Sequence, residues 1–288
     1  MNSTFTKILV ATDNSEPAQA AAATALRLAR ESGAEMVFAN AIDTQVVVDL
    51  EELAKDESRA LLAEAQRPAA EAGVKTATEI LIGRLAPTLT SFAKECGADL
   101  IAMGTHARHG IERFVLGSEV VGVLHAARVP VLAVRTAPAE GAGVVFARLL
   151  VALDDSDAAQ AACALAIRYA QATGAEVVFS SVVDADAIVR NASVYGFDPK
   201  PIVGEARDHA EQVLAEAVER ARTAGVAVGH SVTESAHTAQ GILEAAAESS
   251  ADAIVVGTHG RRGLRHLLLG SVAEAVVENS PIPVFVTR

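Results

Sequence analysis

The chain contains its own copy. Lys7–Thr12, an apolar run, leads into Asp13-Asn14-Ser15, and 141 residues downstream Arg148–Leu153 leads into Asp154-Asp155-Ser156. Gly33 recurs as Gly174 at the same spacing, and Val37–Ile42 with Asp43 recurs as Val177–Val183 with Asp184. Farther on the spacing becomes 153, pairing Ala98-Asp99 with Ala251-Asp252 and Pro130 with Pro283. A period this long marks a duplicated domain and exceeds any solenoid unit. Thr136–Gly143 is small and turn-rich, as a connection between domains should be. The expected division is a first domain over 1–137, a linker over 138–147 and a second domain over 148–288.

Each copy alternates short apolar runs with longer Ala-rich stretches. In the first, strands are expected at Lys7–Thr12, Glu35–Ile42, Val74–Leu81, Asp99–Met103 and Val131–Val134. Helices are expected to end at Gly33, and to cover Leu50–Ala72 (disturbed at Pro68), Leu85–Cys96 and Ser118–Ala127. The polar alternation of Val74–Leu81 suits a sheet edge. Strand–helix alternation with right-handed crossovers gives a doubly wound parallel sheet. The chain is 51% hydrophobic but only 3% aromatic, with no Trp, so Ala, Val, Leu and Ile must fill cores buried on both sheet faces.

A net charge of −12 argues against a nucleic-acid binder, which needs a basic face. No apolar run approaches the ~18 residues of a membrane span, and Met1–Lys7 lacks a signal-peptide pattern. Cys96 and Cys163 fall in helical patterns of different copies and read as small buried hydrophobes. The expectation is a cytoplasmic protein with no nucleic-acid or membrane partner.

Chemistry concentrates at the expected carboxyl ends of the strands, where open parallel sheets bind ligands. Asp13 and Asp154 follow the first strands. Glycine-rich basic loops follow the fourth: Gly104-Thr105-His106-Ala107-Arg108 up to Gly117-Ser118, and Gly257-Thr258-His259-Gly260-Arg261 up to Gly270-Ser271. Glycine permits positive φ and close approach of N–H groups to phosphate. Gly-Ser opening a helix offers free N–H groups to an anion. Taken alone, such a loop is equally a tight strand–helix connection, and each Asp equally a turn or cap residue. The fingerprints Gly-x-x-x-x-Gly-Lys-Ser/Thr and Gly-x-Gly-x-x-Gly are absent from the first turns.

At these residues the chain resembles the universal stress protein family in its tandem form. The family's ATP-binding pattern is Gly, two residues, Gly, nine residues, Gly, then Ser or Thr, and Gly257, Gly260, Gly270 and Ser271 meet it. The resemblance implies two tandem α/β domains, each a five-stranded parallel sheet in the order 3-2-1-4-5 with helices on both faces. It further implies ATP between the first and fourth strands, contacted by Asp13 or Asp154 and by a residue past the second strand, at Ala41 or Val182. The fifth strands are implied to pair domains or subunits, making a homodimer. Arg261 is the cation nearest the pattern, and Mg²⁺ accompanies the phosphates with Asp154 or Asp13 acting through water.

The first copy keeps Gly104, Gly117 and Ser118 but has Ala107 in place of the second glycine. If positive φ is needed there, a Cβ costs about 1–2 kcal/mol, roughly tenfold in affinity. The second copy is therefore expected to hold ATP more tightly. No residue is assigned a catalytic role, and the loop histidines His106, His109, His259 and His266 lack a third ligand that would make a metal site.

The second copy also carries an insertion, Ala187–Pro201, with Tyr195 and Phe197. It is read as a loop packing on the other domain, or as a lid over an adenine. Asn191-Ala-Ser193 matches a glycosylation sequon by pattern only. Beside the ATP-binding regulatory reading stand two others: a nucleotide-free dimerisation module, and an enzyme of adenylate chemistry.

Overall fold

Two serines start the framework. Ser15 and Ser156 follow the first strand of each copy, and their hydroxyls accept the N–H of Ala18 at 3.4 Å and of Ala159 at 3.2 Å. Each caps a helix whose first turn otherwise lacks acceptors. Both helices stop at glycines in left-handed conformation, Gly33 at φ 72° and Gly174 at φ 79°, where a Cβ is disfavoured.

The structure is a computed structural model that describes residues 3–43, 51–105, 116–138, 144–259 and 269–288. The first copy runs β1 (Lys7–Ala11), α1 (Glu16–Ser32), β2 (Glu35–Ile42), α2 (Glu51–Glu71), β3 (Thr76–Ile82), α3 (Leu85–Cys96), β4 (Leu100–Gly104), α4 (Ser118–Ala126) and β5 (Val131–Val134). The second runs β6 (Arg148–Ala152), α5 (Asp157–Thr173), β7 (Glu176–Val183), α6 (Ala185–Tyr195), α7 (Pro199–Thr223), β8 (Val228–Glu234), α8 (Thr238–Glu248), β9 (Ala253–Gly257), α9 (Ser271–Asn279) and β10 (Val284–Thr287).

The chain forms two compact units, Met1–Val145 with Val277–Val286, and Phe146–Val276 with Thr287–Arg288. In the first, the strands lie β3-β2-β1-β4-β5, all parallel, the expected order. β10 then adds antiparallel to β5, with Phe285 opposite Leu132. The Phe285 ring stacks on Phe5 at 6.3 Å. The fifth strands thus pair with each other within one chain. In the second unit β8-β7-β6-β9 are parallel and repeat the first four places of that order.

Right-handed crossovers put α1 and α2 on one face of the first sheet, where they touch, and α3 and α4 on the other, where they also touch. Phe38 and Phe179 hold equivalent places in β2 and β7 and are fully buried. The opposite, amino ends of the strands are tied by a repeated carboxylate. Asp99 accepts the N–H groups of Thr6 and Lys7, and Asp252 those of Ala147 and Arg148.

Four local expectations need adjustment. α2 continues through Pro68 to Glu71, because Pro68 falls in the last turn, where one lost N–H bond is tolerable, and its own carbonyl accepts from Ala72. β3 starts at Thr76, after a turn built on Gly73 at φ 76°, although it does occupy the sheet edge. Of the two cysteines only Cys163 is fully buried, which pushes its thiol pKa up. The insertion is not a loop. Asp184 caps α6 by accepting the N–H of Ala187 at 2.8 Å, and α7 begins at Pro199. Tyr195 and Phe197 are 74% and 65% exposed.

At the amino end of β2, Glu35 lies 2.6 Å from both Lys7 and Lys75. Hydrogen bonds from Lys7, then Lys75, lower its carboxyl pKa to about 2, and Glu35 in turn raises that of Lys7. A carboxylate depressed on folding stabilises above its unfolded pKa and loses that contribution as pH falls through the folded one. Glu35→Gln should therefore lower the Tm at neutral pH, and the gap to wild type should close between pH 4.5 and about 2. Thermal melts of both proteins across that range check it; a gap independent of pH contradicts it.

Candidate functional site

The direction of the crossovers reverses between β1 and β4, and again between β6 and β9. Such a switch point leaves a crevice at the carboxyl ends of the two strands. β6 and β9 align Leu149 with Ala253 and Val151 with Val255, so the turn after β6 and the loop after β9 leave the sheet side by side. They are in direct contact: Ser156 Oγ donates to the carbonyl of His259 at 3.1 Å. The same hydroxyl that caps α5 thus ties His259, just past the end of β9, to the β6 turn.

Asp154 is half-buried on this turn. Its Oδ1 accepts the N–H of Ser156 at 3.0 Å, and Asp13 Oδ1 accepts that of Ser15 at 3.0 Å. Both aspartates therefore shape the turn that holds them. Across the crevice Thr258 is buried, and its N–H donates to Thr287 at 2.6 Å. His259 Nδ1 lies 3.0 Å from Thr258 Oγ1. The buried His259 Nε2 has no hydrogen-bond partner among the described residues.

Gly270 precedes α9. Its N–H donates to Thr258 at 2.8 Å and its carbonyl accepts the N–H of Glu274 at 3.0 Å. Ser271, the first residue of α9, is exposed. The N–H groups of that first turn have no acceptor within the helix.

Packing explains Gly104, Gly257 and Gly270 but not Gly117. None of Gly104, Gly117, Gly257 and Gly270 has positive φ, so the conformational reason expected from the sequence does not hold for them. A Cβ on Gly257 would lie 2.7 Å from the carbonyl carbon of Ala158, and one on Gly104 2.7 Å from the N of Ala18. The first helix of each unit thus presses on the end of the fourth strand. A Cβ on Gly270 would lie 2.9 Å from the Thr258 carbonyl oxygen, whereas one on Gly117 meets nothing nearer than 3.7 Å.

The positions expected past the second strands lie within them, because both strands run one residue farther: Val182 in β7 packs its methyls toward Gly241 of α8, and Ala41 in β2 pairs with Leu81. The first crevice has an additional tie that sequence reading missed. Asn40 donates to the Thr12 carbonyl at 2.7 Å and accepts from Ser58 of α2 at 2.9 Å. The second copy has Leu153 and Ser181 at the places of Thr12 and Asn40. The N-capping serines carried a visible sequence signal, but nothing local marked Ser156 as the link between the two loops. Gly260 and Arg261, with Arg262, Arg265 and His266, lie outside the described residues, as do His106, Ala107, Arg108 and His109. Among the described residues no group of three or more His, Cys, Asp or Glu could hold a metal, and no helix is long and apolar enough to cross a membrane.

A family model described as the universal stress protein family matches residues 4–135 and again 146–288. A universal stress protein of Methanocaldococcus jannaschii is 36% identical over 140 residues, covering 46% of this chain and 82% of that protein. A universal stress protein of Mycolicibacterium smegmatis is 29% identical over 299 residues, covering 98% of this chain and 96% of the relative. The crystal structure of a universal stress protein from Archaeoglobus fulgidus has the same fold, with a TM-score of 0.72 and 22% identity, and covers 100% of this chain and 99% of that one.

Proposed function

Because the chain belongs to the universal stress protein family in tandem form, we propose that its second unit binds ATP in the crevice between β6 and β9, and that the bound nucleotide alters conformation or association. The observation carrying this reading is the Ser156–His259 bond, which ties an aspartate turn to the residues opening a glycine loop at a switch point. Three groups suit the nucleotide: the Asp154 carboxylate for ribose hydroxyls or a Mg²⁺-bound water, the first-turn N–H groups and hydroxyl of α9 at Ser271 for phosphate, and the orphaned Nε2 of His259. Gly260 and Arg261 complete the loop by sequence. The nucleotide's own phosphoanhydride would supply any chemistry.

The first unit is the weaker site in this reading. Ala107 replaces a loop glycine, and Asn40 and Ser58 tie the turn after β1 to α2. One observation favours a nucleotide-free module instead: Gly104 and Gly257 are explained by helix packing alone. Titration calorimetry and native mass spectrometry decide between the two.

The expected result is one ATP per chain bound tightly. Asp154→Ala should weaken it at least tenfold, about 1.4 kcal/mol, with Asp13→Ala having little effect. No binding at millimolar ATP, or binding indifferent to Asp154→Ala, defeats the proposal. Pyrophosphate release from ATP would favour adenylate chemistry. Gly104→Ala and Gly270→Asp are unsuitable probes, since a Cβ at either position strikes backbone.

A further inference from the structure

Building on the ATP reading above, we infer that His209 is a positioning residue of the crevice between β6 and β9. Its charge sets how well the crevice accepts a polyanionic nucleotide, so that occupancy falls as pH rises through the histidine range. His209 Nε2, on α7, lies 3.3 Å from Asp155 Oδ2. Asp155 stands between Asp154, offered to the nucleotide, and Ser156, which holds His259. A cation on His209 therefore acts on the turn that carries both.

Helix geometry puts His209 there. Arg207 and Glu211 are one turn apart and share a flank of α7, where both meet β8: Arg207 is 3.2 Å from Glu234, and Glu211 is 3.8 Å from His230. His209, midway between them in sequence, falls on the opposite flank and reaches the turn after β6. The buried stripe Ala210, Leu214, Ala217 and Ala221 seats the helix on β7 and β8. α7 is thus held on both sides. The side toward the crevice is held by a side chain of the kind that changes charge between pH ~5 and ~8.

The first unit ties the corresponding elements without charge, through Ser58 of α2, Asn40 and the Thr12 carbonyl. Thr76 on β3 and Val228 on β8 hold equivalent places, each paired with the second residue of the neighbouring strand. Counting back through the helices, Ala210 corresponds to Ser58 and His209 to Glu57, while Asp155 corresponds to Asn14. Ala210 has no hydroxyl, so the second copy cannot form the neutral tie. Glu57 and Asn14 cannot form the ion pair in the first. One unit fastens its crossover helix in a pH-blind way, the other through a titrating group.

Charge gives the sign. Asp154, Asp155 and Asp157 put carboxylates on the turn and at the start of α5, where phosphates are to sit. Glu205 and Asp208 stand near His209 on α7. Asp184 and Asp186 open α6, which carries one cation, Arg190; β7 brings no charged side chain at this end. On the β8 flank Glu234, Glu211 and His230 are in the pairs given above. Into this acidic surround a protonated His209 brings a positive charge beside Asp155. Neutral, it no longer offsets the Asp155 carboxylate, which repels phosphate. Protonation therefore favours binding, and binding favours protonation to the same degree. The two side chains are 41% and 47% exposed, so the effect is a few-fold.

Titration calorimetry of the full chain with MgATP at ~pH 6 and ~pH 8 tests this. The terminal phosphate of ATP also titrates near pH ~6, but equally for every variant. The weakening from the lower to the higher pH should be about two- to fivefold greater in wild type than in His209→Gln. His209→Lys, a fixed cation, should bind more tightly than wild type at the higher pH by the same factor. His230→Gln, on the other flank, should follow wild type. Equal Tm values at the higher pH show that the variants are folded. A His209→Gln profile that parallels wild type, or a loss that His209→Lys does not restore, overturns the inference and leaves the ATP reading standing. Absence of ATP binding at both pH values defeats that reading and this inference with it.

Discussion

Phe179→Ala should destabilise the second unit by about 3–5 kcal/mol. The ring is fully buried in the middle of β7, in register with Val151 on β6 and His230 on β8. In a core made mostly of Ala, Val, Leu and Ile it is among the largest volumes present. Helices and strands around it cannot close the gap without shifting the sheet, so the lost transfer free energy and the cavity add together. Phe38→Ala should cost the first unit a similar amount, since Phe38 is 1% exposed at the equivalent place in β2. Urea unfolding followed by far-UV circular dichroism measures both. Because the chain has two units, each variant should shift only one part of the transition if they unfold separately. A loss under 1 kcal/mol at either site would mean that the sheet core is packed differently.

The second large effect comes from adding an atom. Gly257→Ala should cost about 3 kcal/mol, at the upper end for overpacking, because its Cβ meets the backbone and Cβ of Ala158 at 2.7 Å and no side-chain rotation relieves that. Gly117→Ala should be neutral, or stabilising by up to about 1 kcal/mol, since its backbone, at φ −60° and ψ 137°, suits any residue and the added methyl meets only open space or a Val120 methyl at 3.7 Å. Thermal melts of the two variants measure the difference. Equal effects would show that the approach of Ala158 is not what fixes Gly257.

That contrast shows how much of the molecule could be read from its sequence. The duplication, the strands and the helix stops at Gly33 and Gly174 were legible because each rests on a local signal: a repeat, an apolar run, a glycine after a helix; the strand order came only with the family resemblance. Asp13 and Asp154 were legible as residues at a switch point, but not the N–H groups they hold in their own turns. The glycines were visible and their cause was not. Whether a glycine serves a left-handed turn or the close approach of a helix depends on a partner such as Ala158, nearly a hundred residues away in the chain. The insertion reads as a loop because α6, although Ile188, Ala192 and Tyr195 share a helical face, is short and is followed at once by Gly196 and Pro199. Its helical signals were the caps, Asp184 and Gly196.

The pairing of β10 with β5 has a consequence for how the protein is made. The first unit emerges from the ribosome long before Val284–Thr287, yet the open side of β5 is covered only when those residues arrive. Through the synthesis of almost the entire second copy, β5 offers bare N–H and C=O groups to any passing strand. Closing so distant a contact is slow for reasons of chain entropy. The first unit is thus begun first and finished last, and removing the final strand should injure the half of the protein farthest from it in sequence.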